Sequence, residues 1–74
     1  MMSQTKTIDA RGLSCPQPAM LARRAINELG KGTIEVLVDS VTARENISRL
    51  AQNCGWSVTV DYQPEGDCRI ILVK

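Results

Sequence analysis

The chain contains no histidine and no phenylalanine, and Trp56 and Tyr62 are its only aromatic residues. The lack of histidine excludes a catalytic triad with an imidazole base, a histidine metal site and an imidazole pH switch. Two aromatic side chains are too few to form the stacking platform that binds single-stranded nucleic acid. These absences exclude triad hydrolases, histidine-ligated metalloproteins and aromatic single-strand binders.

Long apolar runs and a surplus of one charge are also missing. The longest apolar run covers residues 70–73, which is far too short to span a bilayer, and residues 1–7 lack the apolar stretch of a secretion signal. Nine Lys and Arg residues against eight Asp and Glu residues give a net charge of +1. Binding to duplex nucleic acid requires the neutralisation of many phosphates. We therefore expect a cytoplasmic protein with no membrane partner and no direct nucleic-acid partner.

The length of 74 residues leaves room for one domain, which we place at residues 1–74. A chain of this size buries only about 60% of the surface that it exposes when unfolded, so the core is small. A composition of 43% hydrophobic and 23% charged residues is typical of a globular protein and argues against a disordered tail. We expect a monomer in isolation.

Three cysteines, Cys15, Cys54 and Cys68, have no C-x-x-C spacing. An odd number without that spacing argues against a disulfide scaffold, a zinc ribbon and a dithiol redox motif. A reducing compartment is the default for such a chain. The sequence also lacks a glycine-rich phosphate loop. We therefore expect no metal and no cofactor, and any reactive thiol acts alone.

Apolar periodicity and the positions of glycine and proline predict six elements in the order βαβαββ. A helix opened by Pro16 and ended by Gly30 carries an apolar stripe, whereas residues 56–63 alternate between apolar and polar side chains. The predicted strands cover residues 6–9, 33–38, 56–63 and 68–73, and the predicted helices cover residues 16–29 and 42–54. Helices after the first two strands and a final hairpin imply an α/β two-layer sandwich, a mixed four-stranded sheet with both helices on one face.

The pattern also predicts the start of the second helix and the character of the uncovered face of the sheet. The second helix is predicted to begin at a capping box formed by Thr42 and Glu45, with Cys54 on its apolar stripe. The uncovered face of the sheet is expected to be open to solvent. The apolar side chains expected to be exposed on that face are Leu37, Ile71 and Val73.

Cys15 is the strongest candidate for chemistry among the three thiols. It follows a turn and directly precedes Pro16 at the predicted start of a helix. A helix N-terminus presents unpaired amides and about half a unit of positive charge, which stabilise a thiolate and lower the pKa of a thiol. Cys54 on the apolar stripe and Cys68 beside Ile70 are expected to pack in the core. The alternative for Cys15 is a simple helix cap, a role that Ser or Asp fills better.

Four residues near Cys15 are expected to shape its surroundings. Gly12 is predicted to adopt a positive φ in the turn, and Asp9 is predicted to accept amide hydrogen bonds that order the loop. Pro16 and Pro18 are expected to hold the backbone at the start of the helix rigid. These four residues are therefore assigned to the scaffold of the site.

The spacing Asp9-x-x-Gly12-x-x-Cys15-Pro16-x-Pro18 resembles the D-x-x-G-x-x-C-P-x-P signature of the TusA/SirA-like proteins, which are small bacterial and archaeal sulfur carriers. The resemblance covers residues 7–73 and includes the βαβαββ order. In that family the cysteine that corresponds to Cys15 carries a persulfide received from a cysteine desulfurase or a rhodanese-like donor, and passes it to an acceptor protein. The resemblance therefore implies a sulfurtransferase-like relay rather than a stand-alone turnover enzyme.

Branches of this family serve different pathways. The best-known branch feeds tRNA thiolation, whereas residues 38–47 are more similar to the N-terminal domain of YedF-type proteins, which are linked to selenium metabolism. The pathway therefore stays open between tRNA thiolation and another sulfur or selenium pathway. An alternative function is a non-catalytic regulatory or adaptor module that docks a partner through the open face of the sheet.

Basic residues outnumber acidic ones around Cys15. Four basic residues stand against one acidic residue up to residue 24, so we expect the Cys15 end of the domain to be locally positive. A positive rim favours a persulfide anion and an acidic partner surface. The predicted docking residues are Arg11, Arg23 and Arg24.

Overall fold

The computed structural model of the protein describes residues 5–14 and 16–74. The elements are β1 (Thr5–Asp9), α1 (Gln17–Leu29), β2 (Thr33–Val38), α2 (Val41–Asn53), β3 (Ser57–Tyr62) and β4 (Cys68–Val73). The predicted order βαβαββ is confirmed, and the bounds of β2 and β4 agree with the prediction. The other elements differ from the predicted bounds by one residue at one or both ends. The described part contains no helix that is long and apolar enough to cross a membrane.

The four strands form one mixed sheet in the order β1-β2-β4-β3. β1 and β2 pair in parallel, whereas β4 pairs antiparallel with both β2 and β3. As a result β1, β2 and β3 run in the same direction, and their carboxyl ends lie along one edge together with the start of β4. The loops that lead into α1 and α2 leave the sheet at this edge, which we call the carboxyl edge.

The core lies between the two helices and one face of the sheet, which confirms the two-layer sandwich. Every second residue of β2 and of β4 is buried, and Trp56 before β3 is only 3% exposed. Alanines predominate on the helix side, and such small residues let the helices pack closely on the sheet. The buried strand residues are Ile34, Val36, Val38, Cys68, Ile70 and Leu72, and the buried apolar helix residues include Ala22, Ala25, Ile26, Ala43, Ile47 and Ala51.

The opposite face of the sheet is open and largely polar. Of the three apolar residues expected to be exposed there, Val73 is exposed, whereas Leu37 and Ile71 are half-buried. Across the β2–β4 pair, Glu35 is the partner of Ile71 and Arg69 is the partner of Leu37. Arg69 Nε and Glu35 Oε1 lie 3.5 Å apart and form an ion pair. The face therefore has the mixed polar character of a surface that is normally in contact with water.

The start of α2 differs from the prediction. Ser40 is the N-cap, and its hydroxyl accepts a hydrogen bond from the amide of Ala43 at 3.1 Å. Thr42 lies inside the helix, so the predicted capping box of Thr42 and Glu45 is wrong. The physical reason is that the extended backbone of Ser40 (φ −137°, ψ 148°) brings its Oγ to the third amide of the helix.

The end of α2 also lies one residue earlier than predicted. The amide of Cys54 donates to the carbonyls of Leu50 and Ala51, both at 3.1 Å, and that of Trp56 donates to Ala51 at 2.9 Å. Cys54 is therefore the C-cap, and Trp56 belongs to the turn that closes the helix rather than to β3. Cys54 is nevertheless half-buried against the core, in agreement with its expected packing role.

Replacing Ile70 with Val is expected to lower the free energy of unfolding by about 0.5–1.5 kcal/mol, because the lost methyl group leaves a void in a close-packed core. Ile70 is fully buried, while Ile71 in the same strand lies on the open face. The matched Ile71→Val variant should lose less, because its methyl group is already partly in water. Urea unfolding measures both changes, and an equal loss in the two variants would contradict this assignment of the faces.

Candidate functional site

Cys15 lies outside the described residues, but both of its neighbours in the chain are described. The carbonyl of Ser14 accepts a hydrogen bond from the amide of Gln17 at 2.8 Å, and that of Pro16 accepts from Met20 at 3.0 Å. Pro16 is the N-cap of α1. The residues that flank Cys15 therefore form the first turn of α1 and its approach.

Pro18 occupies the second position of α1 and is buried. A proline in the first turn costs no helical hydrogen bond, because the first amides of a helix have no partner within it. The first turn contains no acidic residue, and among the described residues no side chain caps α1. The positive end of this helix dipole is thus not offset by an acidic side chain of its own first turn.

A chain of hydrogen bonds anchors the loop before Cys15 to the sheet. Arg11 donates to both carboxylate oxygens of Asp9, from Nε to Oδ1 at 2.9 Å and from Nη2 to Oδ2 at 2.8 Å. Its Nη1 donates to Oδ2 of Asp67 at 3.1 Å, and its amide donates to Asp9 Oδ1 at 3.2 Å. Arg11 therefore joins the end of β1 to the residue before β4. The expected amide hydrogen bond to Asp9 is present.

Gly12 is the second anchor of this loop. Its φ is +79°, which agrees with the prediction, and its amide donates to Oδ2 of Asp39 at 2.9 Å. Asp39 directly follows β2, so this bond links the loop before α1 to the loop before α2. A Cβ added at Gly12 would meet nothing within 4 Å, so the backbone conformation, and not lack of space, calls for glycine here.

The ion pairs of Arg11 shift the pKa values of both partners. Hydrogen bonds from the Arg11 side chain, and then from its amide, lower the pKa of the Asp9 carboxyl from 3.8 to about 2. The same contacts, first with Asp9 and then with Asp67, raise the pKa of the Arg11 guanidinium. Asp9 and Arg11 are therefore both charged at neutral pH, and the carboxylate of Asp9 is held as an acceptor rather than a proton donor.

The charge of the expected positive rim is more nearly balanced by carboxylates than the sequence suggests. Lys6 Nζ lies 3.0 Å from Glu28 Oε1, and Arg24 Nε lies 3.9 Å from Glu28 Oε2. Arg11 is paired with Asp9 and Asp67, as described above. Among the described residues, Arg23 forms no ion pair and is exposed. Three of the four basic residues up to position 24 thus face a carboxylate. Glu28 lies one helical turn beyond Arg24, and Asp67 comes from a distant part of the chain.

An apolar groove beside the Cys15 loop was not predicted from the sequence. It has a volume of about 370 Å³ and is lined by Leu13, Gln17, Met20, Leu21 and Arg24. We call it the α1 groove. The signal was present in the sequence, because Met20 and Leu21 lie outside the apolar stripe that packs on the sheet. Asp39 and Asp67 were also missed, since their roles depend on which strands are neighbours.

The other two cysteines have the environment expected of core residues. Cys68 is 8% exposed at the start of β4, and Cys54 is half-buried at the end of α2. The described residues contain no group of three or more Cys, Asp or Glu side chains arranged to hold a metal ion.

Comparison with known proteins identifies the family. The sequence model of the family Sulfurtransferase TusA matches residues 6–74, so the chain belongs to the TusA family. It is 36% identical to a protein of Methanocaldococcus jannaschii over 75 residues, and the match covers 100% of both chains. It is 33% identical to a protein of Bacillus subtilis over 67 residues, and this match covers 89% of this chain and 88% of that one. Both relatives carry the name "Putative sulfur carrier protein".

A solved structure agrees with this assignment. The crystal structure of a SirA-like protein from Desulfitobacterium hafniense has a TM-score of 0.88 and a sequence identity of 34% to this chain. The match covers 92% of this chain and 95% of that one. The TusA/SirA-like resemblance and the fold that it implied are therefore confirmed.

Replacing Gly12 with Ala is expected to destabilise the protein by about 1 kcal/mol, because a residue with a Cβ is strained at positive φ. Gly12→Asn should lose less, since Asn tolerates this region better than Ala does. Urea unfolding of the two variants provides the measurement. Equal losses would show that the cost does not arise from the backbone conformation.

The stability contributed by Asp9 is expected to depend on pH. Its folded-state pKa, about 2, lies below the unfolded value of 3.8, so the contribution is complete above the unfolded pKa and is lost as the pH falls toward the folded one. The difference in urea midpoint between wild type and Asp9→Asn should therefore shrink from about pH 5 to about pH 2. In an Arg11→Gln background the same comparison should show little change with pH. If the difference in urea midpoint between wild type and Asp9→Asn does not change with pH, the role of Arg11 is refuted.

Proposed function

We propose that the protein is a sulfur carrier in which Cys15 holds the transferred sulfur as a persulfide. The observation that carries the proposal is the TusA family match over residues 6–74, which includes Cys15 and the Pro16 and Pro18 that follow it. The names of the two relatives described above point to the same role. The activity is a covalent relay between proteins rather than the turnover of a metabolite.

The start of α1 supports this chemistry on physical grounds. Cys15 directly precedes Pro16, the N-cap of a 13-residue helix whose first turn contains no acidic residue. The dipole of a helix stabilises an anion near its N-terminus. At α1 the dipole is the main contribution, because Pro16 and Pro18 have no N–H and the amide of Gln17 already donates to Ser14. A thiolate and a persulfide are both anions, so this position favours the reactive forms of Cys15 over its neutral thiol.

The relay needs no oxidant and no cofactor. In the loading step the thiolate of Cys15 attacks the terminal sulfur of the donor's persulfide, a new S–S bond forms, and the donor's cysteine leaves as a thiolate. In the delivery step a nucleophile of the acceptor attacks the terminal sulfur on Cys15, and Cys15 leaves as a thiolate. Each step breaks one bond to sulfur and forms one, as in thiol–disulfide exchange.

The loop before Cys15 acts as scaffold in this proposal. Asp9 and Gly12 fix the loop through their bonds to Arg11 and Asp39, and Pro16 and Pro18 restrict the backbone after it. A rigid loop keeps a sulfur available to two successive partners without an entropic cost at each encounter.

The partners in this proposal are those that the TusA/SirA-like resemblance implies. The donor is a cysteine desulfurase or a rhodanese-like protein, and the acceptor is a downstream protein of tRNA thiolation or of another sulfur or selenium pathway. The relay operates in the cytoplasm, where thiols stay reduced. The chain works as a monomer between exchanges and does not bind nucleic acid itself. Arg23 and Arg24 contribute to docking, and Arg11 contributes mainly through its bridge between Asp9 and Asp67.

The adaptor hypothesis assigns docking to the open face of the sheet. Among the described residues, that face carries the Glu35–Arg69 ion pair and one exposed large apolar side chain, Val73. Leu37 and Ile71 on the same face are half-buried, so it offers less apolar surface than the contiguous patches that mark protein interaction sites. The α1 groove, which adjoins the Cys15 loop, has more of that character.

Incubation with a cysteine desulfurase and cysteine should add one sulfur atom to the protein, as read by intact-mass spectrometry. Cys15→Ser should abolish the adduct completely, because the serine hydroxyl cannot form a persulfide under these conditions. Cys54→Ser and Cys68→Ala are the matched controls and should retain the adduct, since both residues pack against the core. A reductant should remove the added mass and so distinguish a persulfide from other adducts.

Two outcomes would contradict the proposal. Loading that persists in Cys15→Ser and disappears in a control variant would move the chemistry to another thiol. A folded wild-type protein that gains no sulfur from either a desulfurase or a rhodanese would favour the adaptor hypothesis.

A further inference from the structure

We propose that the α1 groove is the docking site for the sulfur-donor protein. The groove accepts an apolar side chain of the donor, and carboxylates of the donor lie on either side of that side chain. This inference rests on the proposed function, because it assigns a surface to the loading step. It differs from the expected docking rim of Arg11, Arg23 and Arg24 in placing apolar contact at the centre and charge at the margin.

The groove lies within reach of the reactive residue. Leu13 and Gln17 both line it, and each is two residues from Cys15 in the chain. Two residues of chain extend at most about 7 Å. A donor that brings its persulfide to Cys15 therefore has to approach within contact distance of the groove.

Exposed apolar side chains are concentrated here. Among the described residues six large apolar side chains are exposed, and three of them, Leu13, Met20 and Leu21, line this groove at 39%, 62% and 37% exposure. Grouped apolar surface of this kind marks interaction sites, whereas single exposed residues do not. Methionine also adapts its shape to different partners, which suits a carrier that meets a donor and an acceptor in turn.

The margin of the groove is positively charged. Arg24 lines it with a side chain that is 77% exposed, and Arg23 lies next to it in α1. The contact of Arg24 with Glu28 is long, at 3.9 Å, and Glu28 is held more closely by Lys6 at 3.0 Å. The charge of Arg24 is therefore available to a partner, and carboxylates are the groups that complement it.

The size of the groove argues against a second copy of this chain as its occupant. A stable dimer buries about 800 Å² on each partner, which is roughly one-sixth of the 4761 Å² surface of the described residues. Three partly exposed side chains and an arginine cover less than this. A small, charged contact is typical of a transient complex, and a relay has to release each partner quickly.

The test compares two ways of loading Cys15. One uses a cysteine desulfurase that loads the wild-type protein, at a concentration below saturation. The other uses glutathione persulfide, which is too small to require a docking surface. Met20→Glu is the main variant, because Glu and Met have similar helix propensities and the side chain is mostly exposed. Val73→Glu, on the open face at the far end of β4, is its matched control.

Met20→Glu should lower the rate of desulfurase loading by about tenfold, as expected for an apolar contact at the centre of an interface. Loading from glutathione persulfide should be unchanged, and Val73→Glu should behave as wild type in both assays. Arg24→Glu should lower the desulfurase rate by about threefold at low salt and less at high salt. Arg49→Glu makes the same charge change on α2 and should have no such effect.

The remaining outcomes separate this inference from the proposed function. If Met20→Glu loads from the desulfurase as fast as wild type, the proposed docking site is wrong, whereas the sulfur-carrier function is unaffected. Loss of loading from both sources in Met20→Glu would also overturn it, because the defect would then lie in Cys15 itself. A wild-type dimer in light scattering that Met20→Glu dissociates would assign the groove to a second copy. Failure of the wild type to load from either source would contradict the proposed function.

Discussion

The alternation of apolar and polar side chains along β2 and β4 is the constraint on which the other features depend. These two central strands bury every second residue under the helices, so α1 and α2 have to lie on the same face. Because β1, β2 and β3 run in one direction, both helices then begin at the carboxyl edge. The loop that contains Cys15 and the loop that contains Asp39 consequently lie next to each other. The amide of Gly12 in the first loop donates to the carboxylate of Asp39 in the second.

The elements with strong periodicity were predictable from the sequence. The bounds of β2 and β4 follow from runs rich in Ile, Leu and Val, and Gly30 marks the end of α1 because glycine favours helix C-terminal caps. The start of α2 was assigned incorrectly because Ser40 and Thr42 are both good caps, and backbone geometry alone selects Ser40. The order of the strands was not predictable, since β4 inserts between β2 and β3 without any local signal.

The candidate site was predictable only in part, and the division has a physical cause. The motif residues Asp9, Gly12, Pro16 and Pro18 are close to Cys15 in the chain, so local stereochemistry was enough to give them roles. Asp67 approaches Arg11 only because β4 begins at the carboxyl edge, which is a property of the whole sheet. The α1 groove likewise depends on where the loop with Leu13 lies against α1. Charge counted up to residue 24 overestimated the positive potential, because it left out Asp67 and also Glu28, which lies one turn further along α1.

The position of β4 between β2 and β3 has a consequence for folding. β3 and β4 form a hairpin whose strands are close in sequence, and β1, α1 and β2 form a second local unit. Pairing of β2 with β4 joins residues that are thirty (Val38 with Cys68) to forty (Thr33 with Val73) positions apart. Contacts of this range slow folding because a long loop has to close first. Between the two units lies α2, which contacts α1 of the second unit and both strands of the hairpin, so the core is complete only when the two units meet. The two halves of the sheet are therefore expected to gain stability together in a single cooperative transition.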